Sequence, residues 1–133
     1  MSGLPPVLLV ALGGAVGSAA RYGMSVALDT TAAGRSFPWA TLLVNVIGSA
    51  VLGVVVALVQ HFGEREYAAW YYLLGVGMCG GFTTFSTFER DAYRLVEQGR
   101  LVAMGLYLTL SVVLGYGGYL AATAAAVRLL PPR

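Results

Sequence analysis

Apolar residues run along the chain in four membrane-length stretches separated by short polar connections. A helix rising 1.5 Å per residue needs about 20 predominantly apolar residues to cross a bilayer. The stretches of that length are residues 4–28, 37–59, 67–88 and 101–130, joined by 29–36, 60–66 and 89–100. The last connection reads as a polar helical extension. The pattern predicts an all-α membrane protein, a single domain of four transmembrane helices over residues 1–133. No long internal repeat is visible.

The third stretch carries a discontinuity. Gly75-Val-Gly-Met-Cys-Gly-Gly-Phe-Thr-Thr-Phe-Ser-Thr-Phe88 opens with glycines and closes with alternating hydroxyl and phenyl side chains. Lipid offers no water to a broken backbone, so such a break survives only where protein buries it or where it lines a polar path. Discontinuous membrane helices commonly build ion sites near the bilayer midplane. The third helix is therefore expected to be broken mid-membrane and to handle an ion.

Composition agrees with a membrane chain. It is 58% hydrophobic and 11% charged, where soluble domains carry roughly 25% charged residues. A net charge of +2 gives no reason to expect a nucleic-acid partner. One cysteine, Cys79, excludes an internal disulfide. The first twelve residues lack a basic segment, so no cleaved signal peptide is expected. All eight basic residues are arginine. With four spans, Arg65, Arg128 and Arg133 share one side, and Arg21, Arg35, Arg90, Arg94 and Arg100 the other. Positive charge near span ends sets orientation. Three against five is a weak bias, compatible with one orientation or with insertion in both.

Small residues four apart in the first span, Gly13 with Gly17 and Gly14 with Ser18, allow close helix approach within a subunit or across a dimer. In the second span Asn45 lies between Thr41 and Ser49, each four residues away on the same face. The fourth span repeats the pattern at Tyr107, Ser111 and Gly115. One such row is readily interhelical glue. Two rows beside a broken helix favour a lined path. Amides and hydroxyls donate to an anion, and the positive edge of a phenyl ring can help replace its water. Phe82, Phe85 and Phe88 recur every third residue, which core packing also explains. No Asp, Glu or Lys lies deep in a predicted span, which disfavours a proton relay or a cation-binding carboxylate. An exporter of organic cations would need such a carboxylate. A non-transporting assembly subunit would account for the small residues but not for the polar rows.

These residues carry a resemblance. Gly80-Gly-Phe-Thr-Thr-Phe-Ser-Thr-Phe88 resembles the signature of the CrcB/Fluc fluoride channels. Phe37-Pro-Trp-Ala-Thr-Leu-Leu-Val-Asn-Val-Ile-Gly48 is similar to their second-span motif, and Gly13-Gly-Ala-Val-Gly-Ser-Ala-Ala-Arg-Tyr22 to their first. Ala40 and Gly115 depart from the family pattern. The resemblance implies passive fluoride export, and hence fluoride resistance, through an antiparallel dual-topology homodimer with two pores in the inner (plasma) membrane. It implies no enzymatic step. It also implies a structural sodium ion held by the backbone carbonyls of Gly80 and Thr83. By motif, Asn45, Phe85 and Phe88 fall on the fluoride pore, with Tyr107 and Ser111 on its polar track and Thr41 and Thr87 as weaker lining matches. Phe82 falls to packing. Arg21 matches a motif arginine, which could be a vestibule charge or a membrane-end anchor.

Overall fold

The computed structural model describes residues 4–29, 31 and 36–131, apart from the side chains of residues 64–66. Most of the first connection, with Arg35, lies outside the described residues, as do Arg133 and the Arg65 side chain. The helices are α1 (Pro6–Asp29), α2 (Trp39–Phe62), α3 (Glu64–Trp70), a π-helix (Tyr71–Cys79), α4 (Gly80–Phe82), α5 (Phe85–Glu97) and α6 (Leu101–Leu129). Helices α1, α2 and α6 are each long and apolar enough to cross a membrane. They match the first, second and fourth predicted stretches to within three residues at each end. This is an all-helical membrane protein.

The third stretch differs from expectation in where it stops being helical. Its glycines do not unwind the chain. The backbone stays helical from Glu64 to Phe82, widening to π geometry over Tyr71–Cys79. It becomes extended at Thr83 (φ −74°, ψ 158°) and Thr84 (φ −153°, ψ 122°). The glycines serve close approach instead. A Cβ on Gly13 would collide with the Leu73 carbonyl, and one on Gly17 with the Met78 carbonyl. A Cβ on Gly81 would stand 2.5 Å from the Gly14 carbonyl. The first-span small residues thus pack backbone to backbone within the subunit, which resolves the choice left open by their spacing. Gly17→Val should destabilise the folded chain by at least about 1–3 kcal/mol through overpacking. A lower melting midpoint in detergent checks this, and an unchanged midpoint would contradict the seam.

The break has local causes. Thr84 caps α5, its Oγ1 accepting the Thr87 N–H at 3.2 Å. Gly48 on α2 leaves room for Thr83 and Phe82, where any side chain would collide. Helix α5 ends in a Schellman turn at Gly99 (φ 70°), with Arg100 N bonded to Leu95 O at 2.9 Å and Gly99 N to Val96 O at 2.8 Å. That turn sends the chain back along α2 as α6. Gly53 lets the two helices close, since a Cβ there would lie 2.5 Å from the Tyr119 carbonyl. Gly23, Gly105 and Gly117 are different, because among the described residues nothing beyond their own stretch of helix lies within 4 Å of the position a side chain would take.

The main core cluster is Leu42, Leu95 and Tyr107, with Phe37 and Phe88 against it. It sits where α5 lies against α2 and α6. The expected polar extension is therefore a packed helix, amphipathic along Phe88, Asp91, Ala92 and Leu95.

Candidate functional site

Asn45 reaches the break from the middle of α2. Its Oδ1 accepts the Thr84 N–H at 2.8 Å and its Nδ2 donates to the Thr84 carbonyl at 3.2 Å. In an unbroken α-helix the Thr84 N–H would bond the Gly80 carbonyl, so the amide replaces a lost ladder bond. A primary amide has two N–H donors, and one remains after the Thr84 bond. Asn45 is both the staple of the break and a donor on a cavity wall.

That cavity, about 440 Å³, is an open groove along the break, lined by Asn45, Gly80, Thr83, Phe85, Phe88 and Ser111 among others. Phe85 is 71% exposed along it. Phe85 and Phe88 lie 5.7 Å apart between ring centroids, and Phe88 lies 5.2 Å from Tyr107. Tyr107 is fully buried, yet its hydroxyl and that of Ser111 have no hydrogen-bond partner among the described residues. The Tyr107 hydroxyl lies beside Thr41 without a bond of regular geometry. Buried hydroxyls are almost always bonded, so two unpartnered ones a helical turn apart are donors available to an acceptor. Beyond them, Ser49 Oγ lies 3.7 Å from where a Gly115 side chain would begin, so Ser49 supplies the hydroxyl at that end of the row.

A second cavity of about 370 Å³ lies across the break, lined by Ser18, Arg21, Asp29, Thr41, Thr87 and Arg90 among others. Thr84 borders both cavities. The Thr84 hydroxyl donates to Thr87 Oγ1 at 3.1 Å, which leaves the Thr87 proton free to point elsewhere. Arg21, for which the motif leaves a vestibule charge and a membrane-end anchor open, stands on the wall of this cavity. It lines this vestibule, and its Nε donates to the Gly81 carbonyl at 3.1 Å, beside Ser18 Oγ at 3.4 Å. Its guanidinium borders the cavity and also satisfies a carbonyl at the break.

The sequence reading missed Asp91. Its place in the polar extension, outside every predicted span, gives no reason to expect it buried. It is 4% exposed, accepts from Thr41 Oγ1 at 2.6 Å and pairs with Arg90 at 3.2 Å. Thr41 thus gives its proton to the carboxylate and can serve an anion only by releasing it. The signal was present: Phe88, Asp91, Ala92 and Leu95 follow the i, i+3, i+4, i+7 spacing of a buried helical stripe.

The break also has polarity. The Gly80 carbonyl has lost its Thr84 partner to Asn45, and no hydrogen bond to the Thr83 carbonyl is found among the described residues. Carbonyl oxygens at the C-terminal end of a helix suit a cation, while amides at the N-terminal end of α5 suit an anion.

Comparison with known proteins shows the family. The family model described as CrcB-like protein, Camphor Resistance (CrcB), matches residues 8–125. "Fluoride-specific ion channel FluC" of Cereibacter sphaeroides is 45% identical over 119 residues, 90% of this chain and 92% of that one. "Fluoride-specific ion channel FluC 1" of Nitrobacter hamburgensis is 41% identical over 115 residues, covering 86% and 90%. The Vibrio cholerae FluC is 44% identical over 105 residues, covering 79% and 82%. With the matching model spanning most of its length, the chain belongs to the CrcB family.

Proposed function

We propose that the chain is a fluoride-selective channel that exports fluoride passively and confers fluoride resistance. It performs no covalent chemistry. The observation that carries this reading is the pair of buried, unpartnered hydroxyls at Tyr107 and Ser111, beside Phe88 and the break. Fluoride is small and holds its water tightly. A path selective for it over chloride must be narrow and must return donors for the water removed. Asn45 Nδ2, the Tyr107 and Ser111 hydroxyls and the Phe85 and Phe88 ring edges supply them, and Thr87 offers its proton from the vestibule. The relatives' names support the same cargo. The buried Asp91 does not favour a cation exporter, because Arg90 and Thr41 already occupy it.

The working unit is an antiparallel homodimer in the inner membrane, with the third segment crossing as a fourth, broken span and two pores per dimer. The support is physical. The groove carries polar backbone and an exposed Phe85, and polar backbone facing lipid is costly unless covered. A second copy would cover it. The Gly80 and Thr83 carbonyls fit a sodium ion in donor type, being hard oxygens without partners among the described residues. One chain supplies two of them, so the site would be completed by the second copy. Such an ion would tie the two breaks together, and the chain's own residues would do the rest.

Two measurements test the proposal. Liposomes holding the purified protein should release fluoride and retain chloride. Equal release of both, or of neither, contradicts a fluoride channel. A single cysteine at a connection, on a Cys79-free background, should be labelled from both sides of the membrane in comparable amounts. Labelling from one side alone removes the antiparallel dimer while leaving the channel standing.

A further inference from the structure

The vestibule holds a charge that a chamber for collecting anions does not need. Arg21 lies at the chamber's inner end, bonded to the Gly81 carbonyl. Asp29 lines the same cavity, eight residues on and so about 12 Å farther along α1, at an exposed helix end. Burial and Asp91 disfavour the charge on Asp29, and Arg94 and Arg90 favour it. Asp91 itself is held by Arg90 and Thr41 inside the packed core. Asp29 is thus a rim carboxylate of the same sign as the cargo, placed beyond Arg21 along α1.

We infer that Asp29 is a specificity-determining residue at the vestibule rim, which sorts entering anions by valence. This rests on the fluoride-channel reading. Unopposed, Arg21 and Arg90 would concentrate every anion, and multivalent ones most, since the Coulomb energy scales with the charge of the visitor. Sulfate or a phosphate ester would then sit on the arginines and block the monovalent ion. A negative rim charge reverses that ordering. It slows fluoride entry by a single factor and the entry of a divalent anion by the square of that factor. The effect depends on screening, because the Debye length falls from about 30 Å at 0.01 M to about 3 Å at 1 M.

The experiment measures fluoride efflux from liposomes for the parent, Asp29→Asn and Asp29→Glu. Ionic strength is set with an impermeant organic salt, and sulfate is the blocker. At about 10 mM ionic strength, Asp29→Asn should conduct roughly two- to fivefold faster than the parent, the scale on which one exposed unit charge acts at about 10 Å. It should also be more sensitive to sulfate by about the square of that factor. Asp29→Glu should match the parent, and near 1 M salt all three should converge. Asp29→Gln repeats the test if the asparagine variant fails to assemble. An Asp29→Asn rate or sulfate sensitivity equal to the parent's at low ionic strength overturns the inference. So does an Asp29→Asn defect that glutamate repairs without any salt dependence, since the carboxylate would then only hold Arg90 or Arg94 in place. A parent that carries no fluoride removes the channel reading and this inference together. An active parent with an indifferent Asp29→Asn removes this inference alone.

Discussion

Asn45→Asp should reduce fluoride efflux by roughly a thousandfold at neutral pH while the protein still assembles. Two effects combine. The aspartate keeps the acceptor for the Thr84 N–H but turns a carboxylate oxygen toward the Thr84 carbonyl, where Asn45 Nδ2 now donates at 3.2 Å. Leaving that carbonyl without a donor costs about 1–3 kcal/mol. The new negative charge also faces the fluoride route. At 4 Å and an effective dielectric constant of 20, repulsion between two unit charges is about 4 kcal/mol, which is close to three powers of ten in occupancy. Charge repulsion outweighs the lost hydrogen bond, so the defect should be pH-dependent. Burial disfavours the charged form of a carboxyl group, so flux should recover as the pH falls and the introduced carboxylate takes up a proton. Efflux measured between pH 5 and 8, per assembled protein, tests this. A variant that conducts at the parent rate throughout would place Asn45 off the path and leave it only the stapling role.

Phe85→Ile and Phe88→Ile should each cut flux about tenfold, with Phe82→Ile close to the parent. An aromatic contact contributes about 0.5–1.5 kcal/mol beyond burial, which sets that scale. The two positions test different things. Phe88 packs against Tyr107 and the core cluster, so its loss also costs stability. Phe85 is 71% exposed in one chain, so packing within that chain cannot account for a loss of flux there. Phe82 sits against Gly48 and lies outside both cavities. Efflux per assembled protein separates these cases. If all three isoleucine variants run near the parent rate, the rings are packing and the path lies elsewhere.

Hydropathy made three of the four long stretches readable because a membrane helix needs only length and apolarity. The position of the break was readable to within a few residues, but its cause was not. Gly75, Gly77, Gly80 and Gly81 suggest unwinding when taken alone. Only the presence of Gly13, Gly14 and Gly17 across a helix seam explains why several of them stay helical, and such pairings are not written in a single sequence. Asn45 could be placed on a polar face, yet periodicity cannot say that its partner is the backbone of Thr84. Arg21 was visible as a charge near a span end, but the carbonyl it reaches is 60 positions away. Asp91 was missed for another reason. Its neighbours Glu89, Arg90 and Arg94 make the segment polar on average, and an average hides a single buried face.

The glycines that meet nothing among the described residues become probes. In a helix surrounded by lipid, Gly→Ala at Gly23, Gly105 or Gly117 removes backbone freedom and should add up to about 1 kcal/mol of stability. If a neighbouring copy fills the space beside one of these positions, the same methyl group intrudes on it and weakens assembly instead. The sign of the change at each glycine then traces the footprint of the partner, one methyl at a time, without any need to see the partner itself.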